Sequence, residues 1–199
     1  TLSGPVLPVE LTSFQSNVQG RTIVLNWATS TEKNSNRFEV QRSSASTGWL
    51  TVSSVKASVL SNSTKEYSYS DNKLQSGKYQ YRLKMIDNDG TFSYSKVAEA
   101  EVSVPKDFQV SQNYPNPFNP TTKIDYQVPV DARVIMEVYN IAGQKVAEVV
   151  NQDQSAGYYT VDFGSSYRLS SGVYIYRLTA SDKVTGNNFS SIKKMMLLK

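Results

Sequence analysis

Residues 112–122 read QNYPNPFNPTT. Pro115, Pro117 and Pro120 fix their own φ and push the residues before them, Tyr114, Asn116 and Asn119, toward extended geometry. The stretch can therefore be neither a helix nor a central strand, and it loses little entropy on ordering. Tyr114 and Phe118 are its two candidate apolar anchors. On this physics alone it reads as a semi-rigid interdomain linker. It lies near the middle of a chain of 199 residues, long enough for one large domain or two smaller ones with separate cores.

Working outward toward the N-terminus, the chain alternates with period two. Residues 22–29, TIVLNWAT, put Ile23, Leu25 and Trp27 on one face. Residues 37–43, RFEVQRS, do the same with Phe38 and Val40, and residues 78–86, KYQYRLKMI, with Tyr79, Tyr81 and Leu83. Such runs are half-buried strands. Weaker strands fall at 9–14, 50–55, 66–71 and 92–104, and Asp87-Asn88-Asp89-Gly90 is a hairpin signal. About seven short strands with turns between them predict a β-sandwich. Residues 1–8, TLSGPVLP, read as an extended arm.

Toward the C-terminus the alternation resumes. Ile124, Tyr126 and Val128 share a face, as do Val134, Met136 and Val138. Tyr159, Val161 and Phe163 follow, then Tyr174, Tyr176 and Leu178, with a final strand over 189–198. No helical periodicity of useful length occurs. The fold expected is all-β: two tandem seven-stranded-type, immunoglobulin-like β-sandwiches. The boundaries expected are 1–104, with the N-terminal arm, and 105–199.

Composition narrows the chemistry. There is no cysteine and no histidine, which excludes disulfides, Cys/His zinc sites and Ser–His or Cys–His dyads. The net charge of +4 is spread as 11 basic and 9 acidic residues up to Val104, and 10 and 8 after it. Without a basic stripe, nucleic-acid binding is not expected. No apolar run reaches the ~20 residues that span a bilayer, no signal peptide is visible, and Thr1 is not a start residue, so we expect a processed or trimmed product that is not transmembrane. Asp87 and Asp89 are weak metal candidates, because Ala98 stands where a calcium loop needs its glutamate. No cofactor is expected. The acids Glu39, Glu99, Glu101, Glu137 and Asp162 alternate with apolar residues and read as a solvated face rather than a glycosidase pair, and with no histidine, cysteine, nucleophile or phosphate-loop motif the chain is expected not to be an enzyme. Arg42, Arg82 and Arg177 read as ladder and cation–π residues. Trp49, in a turn-like region, reads as a packed edge residue, with carbohydrate binding as the lesser alternative.

The run from Asn113 through IDYQVP, VYNIAGQKV, QSAGYYTVDF, LSSGVYIYRL and IKKMMLLK resembles the type A C-terminal sorting domain of the bacterial type IX secretion system. Trp27, Tyr79 and the stretches LPVELTSF and YRLKMIDNDG resemble a fibronectin type III module of the kind that precedes such domains. The first resemblance implies a secreted or cell-surface protein. Its partners would be the type IX translocon, which recognises the folded domain, and a surface peptidase that removes it and attaches the cargo to lipopolysaccharide. Carried over residue by residue, the sorting motif falls on Pro115, Asn116, Pro117 and Phe118; Val138, Tyr139, Asn140 and Gly143; Gly157 and Tyr159; Leu169, Gly172 and Tyr174; and Lys193, Lys194 and Met195. Glycines 143, 157 and 172 suit turns. A second reading is a homopolymer, an extracellular filament built by strand donation. It would use Leu2, Val6 and Leu7 of the arm with Met196, Leu197 and Leu198 of a last strand apolar on both faces.

Overall fold

The computed structural model describes residues 10–58, 60–164, 166–167 and 169–198, and among them every regular element is a strand. The chain separates into two compact units, Thr1–Ser103 and Val104–Lys199. The arm residues Leu2, Val6 and Leu7 lie outside the described residues.

In the first unit, β1 (Glu10–Gln19), β2 (Thr22–Lys33) and β6 (Lys65–Asp71) form one antiparallel sheet, with the two-residue β5 (Leu60–Ser61) added to β2. The second sheet runs β4 (Thr47–Lys56), β3 (Ser35–Ser44), β7 (Gly77–Asp87). Two pieces, β8 (Phe92–Tyr94) and β9 (Ala98–Val102), pair with different ends of β7. Between the pieces Ser95 keeps the ladder going: its N–H donates to Leu83 O at 2.9 Å and its Oγ accepts from Leu83 N–H at 2.9 Å. The short β5 is an addition to the seven expected strands, and the strand expected over 92–104 is broken into β8 and β9.

The alternating residues face inward as their period requires. Ile23, Leu25, Trp27, Phe38, Val40, Tyr81 and Leu83 are all buried. Trp27 meets Phe38 edge-on at 5.8 Å and stacks on Tyr67 at 5.6 Å. The same alternation carries Arg42, Asp71 and Tyr81 inward. Arg42 Nη1 lies 2.7 Å from Asp71 Oδ2, and the Tyr81 hydroxyl donates to the same oxygen at 2.9 Å. Burial first, and then the Asp71 charge, pushes the Tyr81 phenol well above its usual range. Glu32 is also fully buried, accepting from Thr29 Oγ1 and the Tyr67 hydroxyl, each at 2.7 Å.

The second unit repeats the layout. A three-stranded sheet runs β10 (Gln109–Val110), β11 (Thr122–Val128), β14 (Gly157–Phe163); a four-stranded one runs β13 (Lys145–Gln154), β12 (Ala132–Asn140), β15 (Gly172–Asp182), β16 (Asn188–Leu197). Ile124, Val134, Met136, Val138, Phe163, Tyr176, Leu178 and Met195 fill the space between them. Strand β16 alternates after all: Met195 and Leu197 are buried, while Ile192, Met196 and Leu198 face out. The expectation of a strand apolar on both faces holds only for composition; its inner face alone is covered.

Candidate functional site

The proline stretch is not a linker. It is built into the second unit, between the edges of its two sheets. At one end Tyr114 pairs with Lys123, N–H to O in both directions at 2.9 and 3.0 Å, which extends the β11 ladder. At the other end the backbone reaches β16. Phe118 N–H donates to Met196 O at 2.9 Å, Leu198 N–H donates to Phe118 O at 2.9 Å, and Asn116 Oδ1 accepts from Met196 N–H at 3.0 Å. Gln112 Nε2 donates to Lys194 O at 2.7 Å. Residues 112–118 thus clasp the outer edge of the last strand. An open strand edge is a template for foreign pairing, and this part of the edge is taken by the chain itself.

The apolar and polar contents of the clasp explain its composition. Phe118 is buried in the core, edge-on to Phe163 at 6.1 Å. Tyr114 is not an anchor, being 82% exposed. The buried partner is instead Asn113, whose Nδ2 donates to Pro115 O and to Thr122 Oγ1, both at 3.0 Å. Thr122 Oγ1 donates in turn to Pro115 O at 2.8 Å. From β15 the buried Tyr176 hydroxyl donates to Ser111 O at 2.7 Å and accepts from Asn113 N–H at 3.0 Å. Burial first raises this phenol to about 12. Proline supplies no N–H, so the stretch needs side chains such as these to satisfy its buried polar groups.

Gly164 completes the enclosure. A Cβ there would stand 2.0 Å from Pro120 O, and its φ of +135° is one that side chains rarely adopt. The motif glycines act differently. Gly143 lies in the β12–β13 turn at φ +79°, where Asn140 Oδ1 accepts from Ala142 and Gln144 N–H, both at 3.0 Å. Gly157 and Gly172 do not sit in turns; they open β14 and β15. Each stands two residues before a tyrosine whose hydroxyl bonds the carbonyl four residues back: Tyr159 to Ser155 O at 2.6 Å, and Tyr174 to Ser170 O at 2.8 Å. In the first unit Gly77 precedes Tyr79, which bonds Gln75 O at 2.9 Å. A Gly-x-Tyr strand start with a tyrosine corner therefore recurs three times, a signal that was present in the sequence.

The other motif positions divide by face. Val138, Leu169 and Met195 are buried. Tyr139 faces out beside Glu137, which is not simply solvated. Its carboxylate accepts from the Tyr139 hydroxyl at 2.6 Å and from Arg177 Nη2 at 2.8 Å, with Lys145 Nζ at 3.2 Å. These hydrogen bonds, Tyr139 first and Arg177 next, hold it down to about 2. Lys194 is exposed and Lys193 half-buried on β16. In the first unit, Asp89 Oδ1 accepts from Thr91 N–H and Oγ1, and Asp87 O accepts from Gly90 N–H, so both aspartates serve the β7–β8 turn. Among the described residues no helix is long and apolar enough to cross a membrane.

Three solved structures illustrate what the chain is similar to. Dimeric latent PorU from Porphyromonas gingivalis is 14% identical, with 99% of this chain and 21% of that one covered at a TM-score of 0.38. The chicken CNTN1 FN1-FN3 domains are 13% identical, with 96% and 66% covered at 0.33. The tetra-tandem repeat in the extending region of a large adhesion protein is 16% identical, with 95% and 49% covered at 0.35. The chain spans about a fifth of the length of the PorU structure. No curated protein matches it. Residues 112–194, which begin at the clasp and end on β16, match the family model described as "Secretion system C-terminal sorting domain", so the second unit is similar to the C-terminal sorting domains of the type IX secretion system.

Proposed function

We propose that residues 105–199 are a sorting domain read in its folded form by the type IX translocon, and that residues 1–104 are a fibronectin type III-like, non-catalytic module carried with it. The match over residues 112–194 carries this reading, and a domain of that family indicates export to the cell surface or the extracellular space. The clasp gives a physical reason for the motif: Phe118 and Met195 are buried on the inside, and Asn116 bonds the backbone of Met196, so these positions build the folded signal. Removal of the domain by a surface peptidase, with transfer of the cargo to lipopolysaccharide, follows from the same family reading. The filament alternative has no comparable support. Its donor arm lies outside the described residues, and the outer edge of residues 196–198 is already bonded to Asn116 and Phe118.

The test is a pair of reporter fusions in a bacterium with a working type IX system. Residues 105–199 should carry the reporter to the surface, and residues 1–104 should leave it in the periplasm. Equal delivery of both fusions, or retention of both, would overturn the assignment.

A further inference from the structure

The outer face of the first unit's larger sheet carries a ladder that the sorting function does not use. Arg82, on β7, has its guanidinium carbon 4.2 Å from the Trp49 ring centre and 4.0 Å from that of Tyr94. Trp49 belongs to β4, not to a turn, and is half-buried by this stack. Two residues along β7, Lys84 Nζ lies 4.2 Å from the Phe92 ring centre, and Phe92 meets Tyr94 edge-on at 5.5 Å. Phe92 and Tyr94 remain 54% and 44% exposed. The ladder is thus three aromatic rings interleaved with two cations on one sheet face.

Arg82 Nε donates to Gln41 Oε1 at 2.8 Å, and among the described residues neither Arg82 nor Lys84 is ion-paired. The acid across the ladder from Lys84 is Glu39, and its carboxylate is turned to Arg37 at 3.0 Å. Two aromatic rings within 4.2 Å and Gln41 on Nε hold the guanidinium in place, so its two Nη groups are a pre-oriented fork for a carboxylate or phosphate. Its entropy is largely lost before any ligand arrives, which favours binding. The exposed rings beside it offer flat apolar surface of the kind the C–H face of a pyranose covers.

We propose that this face binds an acidic polysaccharide, its anionic groups on Arg82 and Lys84 and its sugar rings on Tyr94 and Phe92. A single-stranded nucleic acid also combines stacking with cations, but two cations with Glu39 and Glu99 on the same sheet make a poor track for a continuous phosphate backbone. The proposal is independent of the sorting role.

The full chain is tested by affinity electrophoresis at low salt, in gels containing polygalacturonate, dextran or no polymer, and by titration with a single-stranded DNA oligonucleotide. The expected result is retardation by polygalacturonate alone, weakened by salt, with Arg82→Gln lowering affinity about tenfold or more and Lys84→Glu also lowering it. Trp49 fluorescence should change on binding, since Trp27 is buried in the core. If Arg82→Gln loses its fold by circular dichroism, Lys84→Glu, which leaves the Trp49–Arg82–Tyr94 stack in place, decides the matter. Retardation by dextran to the same degree, binding of DNA alone, no retardation at all, or wild-type affinity in the folded variants would each overturn the proposal.

Discussion

The two units are built on one plan, three strands against four, and they finish it differently. In the first, the last strand is broken into β8 and β9, and Ser95 bridges the gap. In the second, β16 runs unbroken for ten residues and its end is clasped by a segment 80 positions earlier in the chain. Their buried polar groups differ in the same sense. The first unit joins strand to strand through Arg42, Asp71 and Tyr81. The second also joins strands, through Gln154 and Tyr126, but adds a knot from a strand to a loop through Tyr176, Asn113 and Thr122. The same sandwich can therefore close with sheet residues alone or recruit a proline-rich segment, and only the second device makes the chain's end depend on the stretch that begins the family match.

The strongest way to break this contrast is Gly164→Val. The new Cβ collides with backbone, not with a movable side chain, so a loss of about 4 kcal/mol or more is expected. Both tryptophans lie in the first unit, so urea unfolding followed by fluorescence should be unchanged while circular dichroism shows an early transition. If both signals move together, the units are not independent. Gly48→Ala, with open space around it, serves as the neutral control.

Next in size are the two polar clusters. Asp71→Ala leaves Arg42 and the Tyr81 hydroxyl without their partner and should cost the first unit about 3 kcal/mol, this time visible in fluorescence. Tyr176→Phe leaves Ser111 O and Asn113 N–H unbonded and should cost the second unit about 1–3 kcal/mol. Hydrogen exchange should then rise at Phe118 and Leu198, the amides of the clasp. A Tyr176→Phe variant with unchanged protection there would show that the clasp does not depend on the polar knot.

The smallest effect is a pH dependence. Glu137 is held down to about 2 in the fold, first by Tyr139 and then by Arg177, against about 4.3 in an unfolded chain. A depressed carboxylate stabilises the fold above its unfolded value, and that contribution is lost as pH falls from about 4.3 through 2. The hub is partly solvent-screened, so the loss should stay below about 1 kcal/mol. Glu137→Gln should flatten the acid limb of the second unit's stability curve and leave the first unit's untouched; an identical limb in the variant would assign the dependence elsewhere.

Much of this was legible in the chain. Period two gave the inward sets Ile23–Leu25–Trp27 and Val134–Met136–Val138, and extending the same parity from Phe38 and Val40 to Arg42, and from Tyr67 and Tyr69 to Asp71, points both charges inward at Tyr81. The Gly-x-Tyr strand starts were equally readable. Glu32 was not, because it falls off the parity of Ile23 to Thr29. Tyr114 misled for a related reason: an aromatic beside prolines reads as an anchor, yet its pairing with Lys123 turns it outward.

What the sequence determined by itself is what depends on neighbours in the chain: strand period, turns at glycine, proline-fixed backbone, and the exclusion of cysteine and histidine chemistry. The tertiary structure alone decided which edge the proline stretch would cover. Hydrogen bonds from Asn116 and Phe118 to residues 196–198 join segments with no local relation, and a proline-fixed backbone is as compatible with a free linker as with a clasp. Only the burial of Phe118 and the satisfaction of Asn113 inside the core make the second state the stable one.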